Sequence, residues 1–186
     1  GTGSVRRSAQ LLALRPDLEI RPLRGNVPTR LRKLEEEDLD AVVLACAGLE
    51  RLGLAARISE RLATDRLLPA VCQGTLALET RAEPALVERV ARLSDPDVEA
   101  CAAAERAFLV GIGGDCSTPL AAHARLTGES VVLDALLCSS DGTRAVRARE
   151  SAPRDEAARA GAAAAARVLA EGGKALLESL RAEAAD

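Results

Sequence analysis

Arginine recurs in this chain at one kind of place, where a helix is predicted to begin. Gly1-Thr2-Gly3-Ser4-Val5-Arg6-Arg7 sets two guanidinium groups behind a serine suited to cap a helix, and Arg24-Gly25-Asn26-Val27-Pro28-Thr29-Arg30 repeats the arrangement with an asparagine. Arg51 follows a third strand-to-turn transition. A helix start turns free N–H groups and the positive end of its dipole outward, so arginines there oppose the dipole at a cost of roughly a few tenths of a kcal/mol each, and an anion at the same spot removes that conflict. Arginine pairs bidentately with carboxylate or phosphate, and several together suit a ligand with several acid groups. The sequence has no P-loop, and Gly1-Thr2-Gly3 lacks the third glycine of a dinucleotide fingerprint. With Phe108 as the sole aromatic residue, stacking on nucleobases is not expected, and nucleic acid is not an expected partner.

The second feature is a cysteine in a glycine-rich loop, Gly111-Ile112-Gly113-Gly114-Asp115-Cys116-Ser117-Thr118-Pro119. Loop placement keeps its sulfur accessible, whereas Cys46 on an apolar run and Cys101 on the inner face of a helix read as ordinary buried cysteines. Asp115 disfavours a thiolate beside it, so spacing alone leaves an inert loop cysteine as the simpler reading. Zinc is not expected, because Cys101, Cys116, His123 and Cys138 show no metal-ligand spacing. His123, the single histidine, alternates into a predicted strand and reads as structural; no catalytic triad is signalled.

These residues need a scaffold. The chain has 186 residues, 48% of them hydrophobic, which suffices for a buried core. Five cysteines without regular spacing argue against a secreted disulfide framework and for the cytoplasm. The Ala-rich stretch 157–170 is interrupted by Arg159 and Arg167, so no membrane span is expected. The net charge is −3, but residues 1–33 carry +6 and the remainder −9, which locates an anionic ligand at the basic end. The absence of Met, even at position 1, is expected of a truncated chain.

Periodicity predicts helices at 4–14 and 27–37, short strands at 18–21 and 41–44, and short helices at 49–57 and 58–62. That alternation implies parallel strands with crossover helices, and the arginines then gather on one rim of the sheet. A hinge at 69–74 leads into a strand at 75–79 without an evident partner and a helix at 84–93. A helix capped by Ser94-Asp95 follows, with Val98, Cys101, Ala102, Glu105, Phe108, Leu109 and Ile112 at helical spacing. Strands at 120–126, 131–138 and 144–149 are joined by a turn at 127–130 and by Asp141-Gly142, forming a small antiparallel sheet covered by helices at 154–169 and 174–184.

On these residues the sequence resembles the porphobilinogen deaminase (hydroxymethylbilane synthase) family. The resemblance is carried by Gly1 to Arg7, Arg15-Pro16-Asp17-Leu18, Leu23-Arg24-Gly25-Asn26-Val27 with Thr29-Arg30-Leu31, Ala47-Gly48-Leu49-Glu50-Arg51-Leu52-Gly53, Leu68-Pro69-Ala70-Val71 with Gln73-Gly74, and Gly113 to Pro119. It implies an α/β fold: a truncated periplasmic-binding-protein-like α/β domain at 1–68, a hinge and strand-helix segment at 69–93 belonging to an absent N-terminal domain, and an α+β domain at 94–186. It also implies a dipyrromethane cofactor joined by a thioether to Cys116, with Thr2, Ser4, Arg6, Arg7 and Arg30 around it, and Arg6, Arg7, Arg24, Arg30 and Arg51 holding acetate and propionate arms.

The implied reaction is a transferase step in tetrapyrrole (heme) biosynthesis. Four molecules of porphobilinogen are joined head to tail, each losing ammonia to give an azafulvene that the growing pyrrole chain attacks, and water releases hydroxymethylbilane. Two departures from the family pattern are Asp115, where Gly is common, and Cys72, beside Gln73. The family's catalytic aspartate belongs to the N-terminal domain, so this polypeptide alone is expected to be inactive. The competing reading is a noncatalytic α/β module that binds a small polyacid.

Overall fold

The computed structural model describes residues 1–115 and 117–183. It is a mixed α/β chain whose helices begin where the caps predict. α1 (Val5–Leu14) is capped by the Ser4 hydroxyl accepting from Arg7 N–H, α2 (Val27–Glu36) by the Asn26 side chain accepting from Thr29 N–H, and α5 (Pro96–Ile112) by Asp95 accepting from Asp97 and Val98 N–H. Between them lie α3 (Cys46–Arg51), a single turn of tighter helix at Ala55–Arg57, and α4 (Pro84–Ala91).

Five expected elements in this half are corrected. Segments 18–21 and 41–44 are not strands. Extended chain does run on both sides of Gly1 and Thr2: Thr2 N–H donates to Arg21 O (3.0 Å) and Leu23 N–H to Thr2 O (3.2 Å), while the Gly1 amino group donates to Ala41 O (2.8 Å) and Val43 N–H to Gly1 O (3.0 Å). This is the parallel pattern, but two bonds on each side are too short a ladder to make a strand. The 49–57 helix is split at Leu52–Leu54 around Gly53, which takes φ +71°. Segment 58–62 is not helical; Ile58 has extended backbone (φ −84°, ψ 110°), and Ile58 and Leu62 line a cavity wall. Segment 75–79 is not a strand, because among the described residues nothing pairs with it.

The second half follows the sequence closely. β1 (Leu120–Thr127), β2 (Ser130–Cys138) and β3 (Ala145–Pro153) form an antiparallel sheet in the order β1-β2-β3. α6 (Ala157–Val168) and α7 (Lys174–Glu183) are separated by a kink where Gly172 takes φ +110°. α5 and α6 cover one sheet face, burying Phe108, Leu133, Leu137, Val131 and Val168. The alanine run explains itself here: a Cβ on Gly161 would lie 2.0 Å from Ala104 O, so α6 approaches α5 nearly backbone to backbone. Alternation sends Leu136 and Cys138 to the other face, where with Ala121 they meet Ala9 of α1 and Leu68. That seam joins the arginine-bearing half to the sheet. Among the described residues no helix is long and apolar enough to cross a membrane.

Candidate functional site

Arg6 and Arg7 sit in the first turn of α1 and face a cavity of about 490 Å³ also walled by Val43, Cys46, Leu49 and Gln73. Arg6 is 8% exposed. Its Nη1 donates to Leu68 O (2.7 Å) and its Nη2 to Gln73 Oε1 (3.2 Å). Gln10, one turn on, grips both backbone groups of the same residue: its Nε2 donates to Leu68 O (3.0 Å), and Leu68 N–H donates to its Oε1 (2.8 Å). Arg7 Nη1 donates to Val43 O at 3.0 Å.

Among the described residues neither arginine is paired with a carboxylate; their partners are neutral carbonyl oxygens. Burial, then the neighbouring Arg7, pushes Arg6 down to about 10. Burial, followed by Arg30, lowers Arg7 as well. Both remain cationic at neutral pH. A buried charge without a counter-ion is costly, so the buried Arg6 and the half-buried Arg7 beside an open cavity make a site complementary to an anion.

The other expected site residues are placed less uniformly. Arg30 is near enough to lower Arg7, and its Nε donates to Gly25 O (2.7 Å). Arg24 and Arg51 are exposed and do not line the cavity. Thr2 is buried, its hydroxyl accepting from Ser4 N–H (3.3 Å), and the Ser4 hydroxyl caps α1 as an acceptor. Cys116 lies outside the described residues. Next to it, Asp115 Oδ1 accepts from Ser117 N–H (2.8 Å) and the Ser117 hydroxyl (2.6 Å), bonds that hold its carboxyl below the usual range.

Two cysteines differ from expectation. Cys46 is half-buried, because it opens α3 at the cavity wall rather than ending an interior strand, and Cys101 is also half-buried. His123 has Nδ1 3.9 Å from Glu105 Oε1. Gln10, Gln73 and Glu105 are the polar residues around the site whose placement sequence reasoning missed. Only Glu105 carried a signal, a carboxylate in register with the apolar positions of α5. Among the described residues no His, Cys, Asp and Glu gather as metal ligands would.

Two family models match the chain, that of the porphobilinogen deaminase dipyromethane cofactor binding domain over residues 1–89 and that of the porphobilinogen deaminase C-terminal domain over 99–170. Curated relatives bearing the name porphobilinogen deaminase include that of Trichlorobacter lovleyi, 48% identical over 181 residues, covering 97% of this chain and 58% of the relative. Those of Chromobacterium violaceum (46% over 184 residues, 98% and 60%) and Bordetella parapertussis (48% over 181 residues, 97% and 58%) are similar to the same degree. The chain thus spans under two thirds of the length of these relatives.

Proposed function

The chain belongs to the porphobilinogen deaminase family, and from that premise we propose that it carries the cofactor- and acid-binding part of a hydroxymethylbilane synthase. The reaction is the deaminating condensation of four porphobilinogens into linear hydroxymethylbilane. The observation that supports this reading best is the pair of carboxylate-free guanidinium groups at the cavity, Arg6 buried and Arg7 half-buried. Dipyrromethane, a carrier of acetate and propionate arms, fits that donor set.

In this reading Cys116 would hold the dipyrromethane by a thioether, and the bound group would supply the free pyrrole carbon that starts the chain. Arg6 and Arg7 bind carboxylate arms from the cavity floor, while Arg24, Arg30 and Arg51, with Thr2 and Ser4, serve arms nearer the rim. Tethering makes each addition effectively intramolecular, worth up to about 7–11 kcal/mol of barrier in well-oriented cases. Residues 1–68 form the periplasmic-binding-protein-like α/β part, 69–93 the hinge segment toward an N-terminal domain, and 94–186 the domain with the cofactor cysteine. The four free cysteines of the described residues support a reducing, cytoplasmic setting.

Intact-mass analysis of the full-length protein tests the proposal. An adduct of dipyrromethane mass on the wild type, absent from Cys116→Ser, is the expected result. An unmodified thiol together with reversible polycarboxylate binding would instead favour the noncatalytic module.

A further inference from the structure

A short chain of contacts runs from Arg6 into the C-terminal domain. At its far end is Glu105 of α5, a carboxylate only 6% exposed. Its Oε1 accepts from Ala124 N–H on β1 (2.7 Å) and its Oε2 accepts from Cys72 N–H (2.5 Å). β1 is an edge strand, and the 69–74 turn lies along that edge, where Ala122 N–H donates to Pro69 O (3.2 Å). Glu105 therefore clamps the turn onto the sheet.

The clamp acts at a demanding point. Cys72 has φ +57°, a left-handed conformation unusual for a residue with a Cβ. The bond from its N–H to Glu105 helps hold it there, and the next residue, Gln73, directs its Oε1 at Arg6 Nη2. Gln73 Oε1 also accepts from Ala70 N–H (3.3 Å), and Gln73 N–H donates to Ala70 O (2.9 Å), closing the turn on itself. A carboxylate is expensive to bury, and burial pushes the Glu105 pKa up against the pull of the Ala124 and Cys72 amides and His123.

We infer that Glu105 is a positioning residue for Arg6: by fixing Cys72 it sets where Gln73 holds the guanidinium, and so couples the C-terminal domain to the acid-binding cavity. The effect on ligand affinity rests on the function proposed above; the coupling itself does not. A merely structural brace would lower stability without moving Arg6.

A double-mutant cycle in the full chain decides between them, with Gln73→Ala, Glu105→Gln and the double variant. The readouts are calorimetric titration with porphobilinogen and the Nε–Hε NMR resonance of Arg6. Gln73 is an exposed turn residue, so its variant is expected to fold. Each single change is expected to shift the Arg6 resonance and raise Kd about tenfold, the loss of one bond to a charged group. The double variant should lose no more than either single one.

Losses that multiply, or an Arg6 resonance unmoved by Glu105→Gln, would overturn the inference. If Glu105→Gln does not fold, Glu105→Asp, too short to span both amides, takes its place in the cycle. If the wild type binds no porphobilinogen, the polyacid reading fails, while the resonance still decides the coupling.

Discussion

Gly142 packs so tightly against α1 that a Cβ built on it would lie 2.3 Å from the carbonyl oxygen of Ala9 and 2.8 Å from the amide nitrogen of Ala13. The residue tips the β2–β3 hairpin and takes φ +72°. It therefore satisfies two demands at once, the left-handed turn and the close approach of a helix whose first turn bears Arg6 and Arg7. The seam of Ala9, Leu68, Ala121, Leu136 and Cys138 lies alongside it.

Gly142→Ala should accordingly cost stability twice, about 1–2 kcal/mol for a Cβ in left-handed backbone and about 1–3 kcal/mol for overpacking against α1. Urea unfolding followed by circular dichroism measures the sum. A change under about 0.5 kcal/mol, typical of an unconstrained surface site, would mean that hairpin and helix are not in contact.

Arg7→Lys keeps the charge at the cavity but loses the planar fork that pairs with a carboxylate. Porphobilinogen affinity is expected to fall roughly tenfold or more, the range for a bond to a charged group, with fold stability little changed because the Val43 carbonyl can still accept from an ammonium. Titration calorimetry reads this directly. Affinity within twofold of the wild type would exclude a bidentate role.

Much of this architecture was legible in the sequence because its determinants are local. Ser4, Asn26 and Asp95 cap the helices that follow them, and Thr127 to Ser130 and Asp141-Gly142 turn the chain between strands. What was not legible depends on partners distant in sequence. Segments 18–21 and 41–44 have strand-like composition, yet a strand needs a neighbour, and Gly1 and Thr2 offer each only two hydrogen bonds. Within the candidate site, Arg6 and Arg7 were readable from cap and charge, whereas the exposure of Arg51 depends on how α3 ends. Gln10 and Gln73 gave no sign of their roles, since a glutamine that grips a backbone peptide looks like any solvated one.

Asp141 gives a pH dependence with a definite sign. Its carboxylate accepts from the Ser139 hydroxyl (2.5 Å), and from Thr143 N–H (3.0 Å) and hydroxyl (2.9 Å), which pulls its pKa from 3.8 to about 2. A depressed folded pKa means that the charged form favours the folded state, so this contribution is present above pH 3.8 and is lost as pH falls through about 2. Asp141→Asn should melt below the wild type at neutral pH, with the gap closing between pH 4 and pH 2. A gap independent of pH would show that the carboxylate's charge is not what stabilises the turn.

The apolar side chains of segment 75–79 lead to a prediction of the opposite kind, a substitution that should not destabilise. Leu76 is 74% exposed and Leu78 62% exposed, in a segment that no strand pairs among the described residues. Apolar residues so placed contribute little to folding but offer a surface for self-association, since extended chain with free N–H and C=O groups templates pairing. Leu76→Ser with Leu78→Ser should leave the unfolding free energy of this chain within about 0.5 kcal/mol while lowering concentration-dependent association in light scattering. Serine keeps the backbone groups, so any association through main-chain pairing alone survives the change, and Leu76→Pro, which removes one N–H donor, separates that contribution from the apolar one. A clear loss of stability in the double serine variant would show instead that these leucines pack against the chain itself.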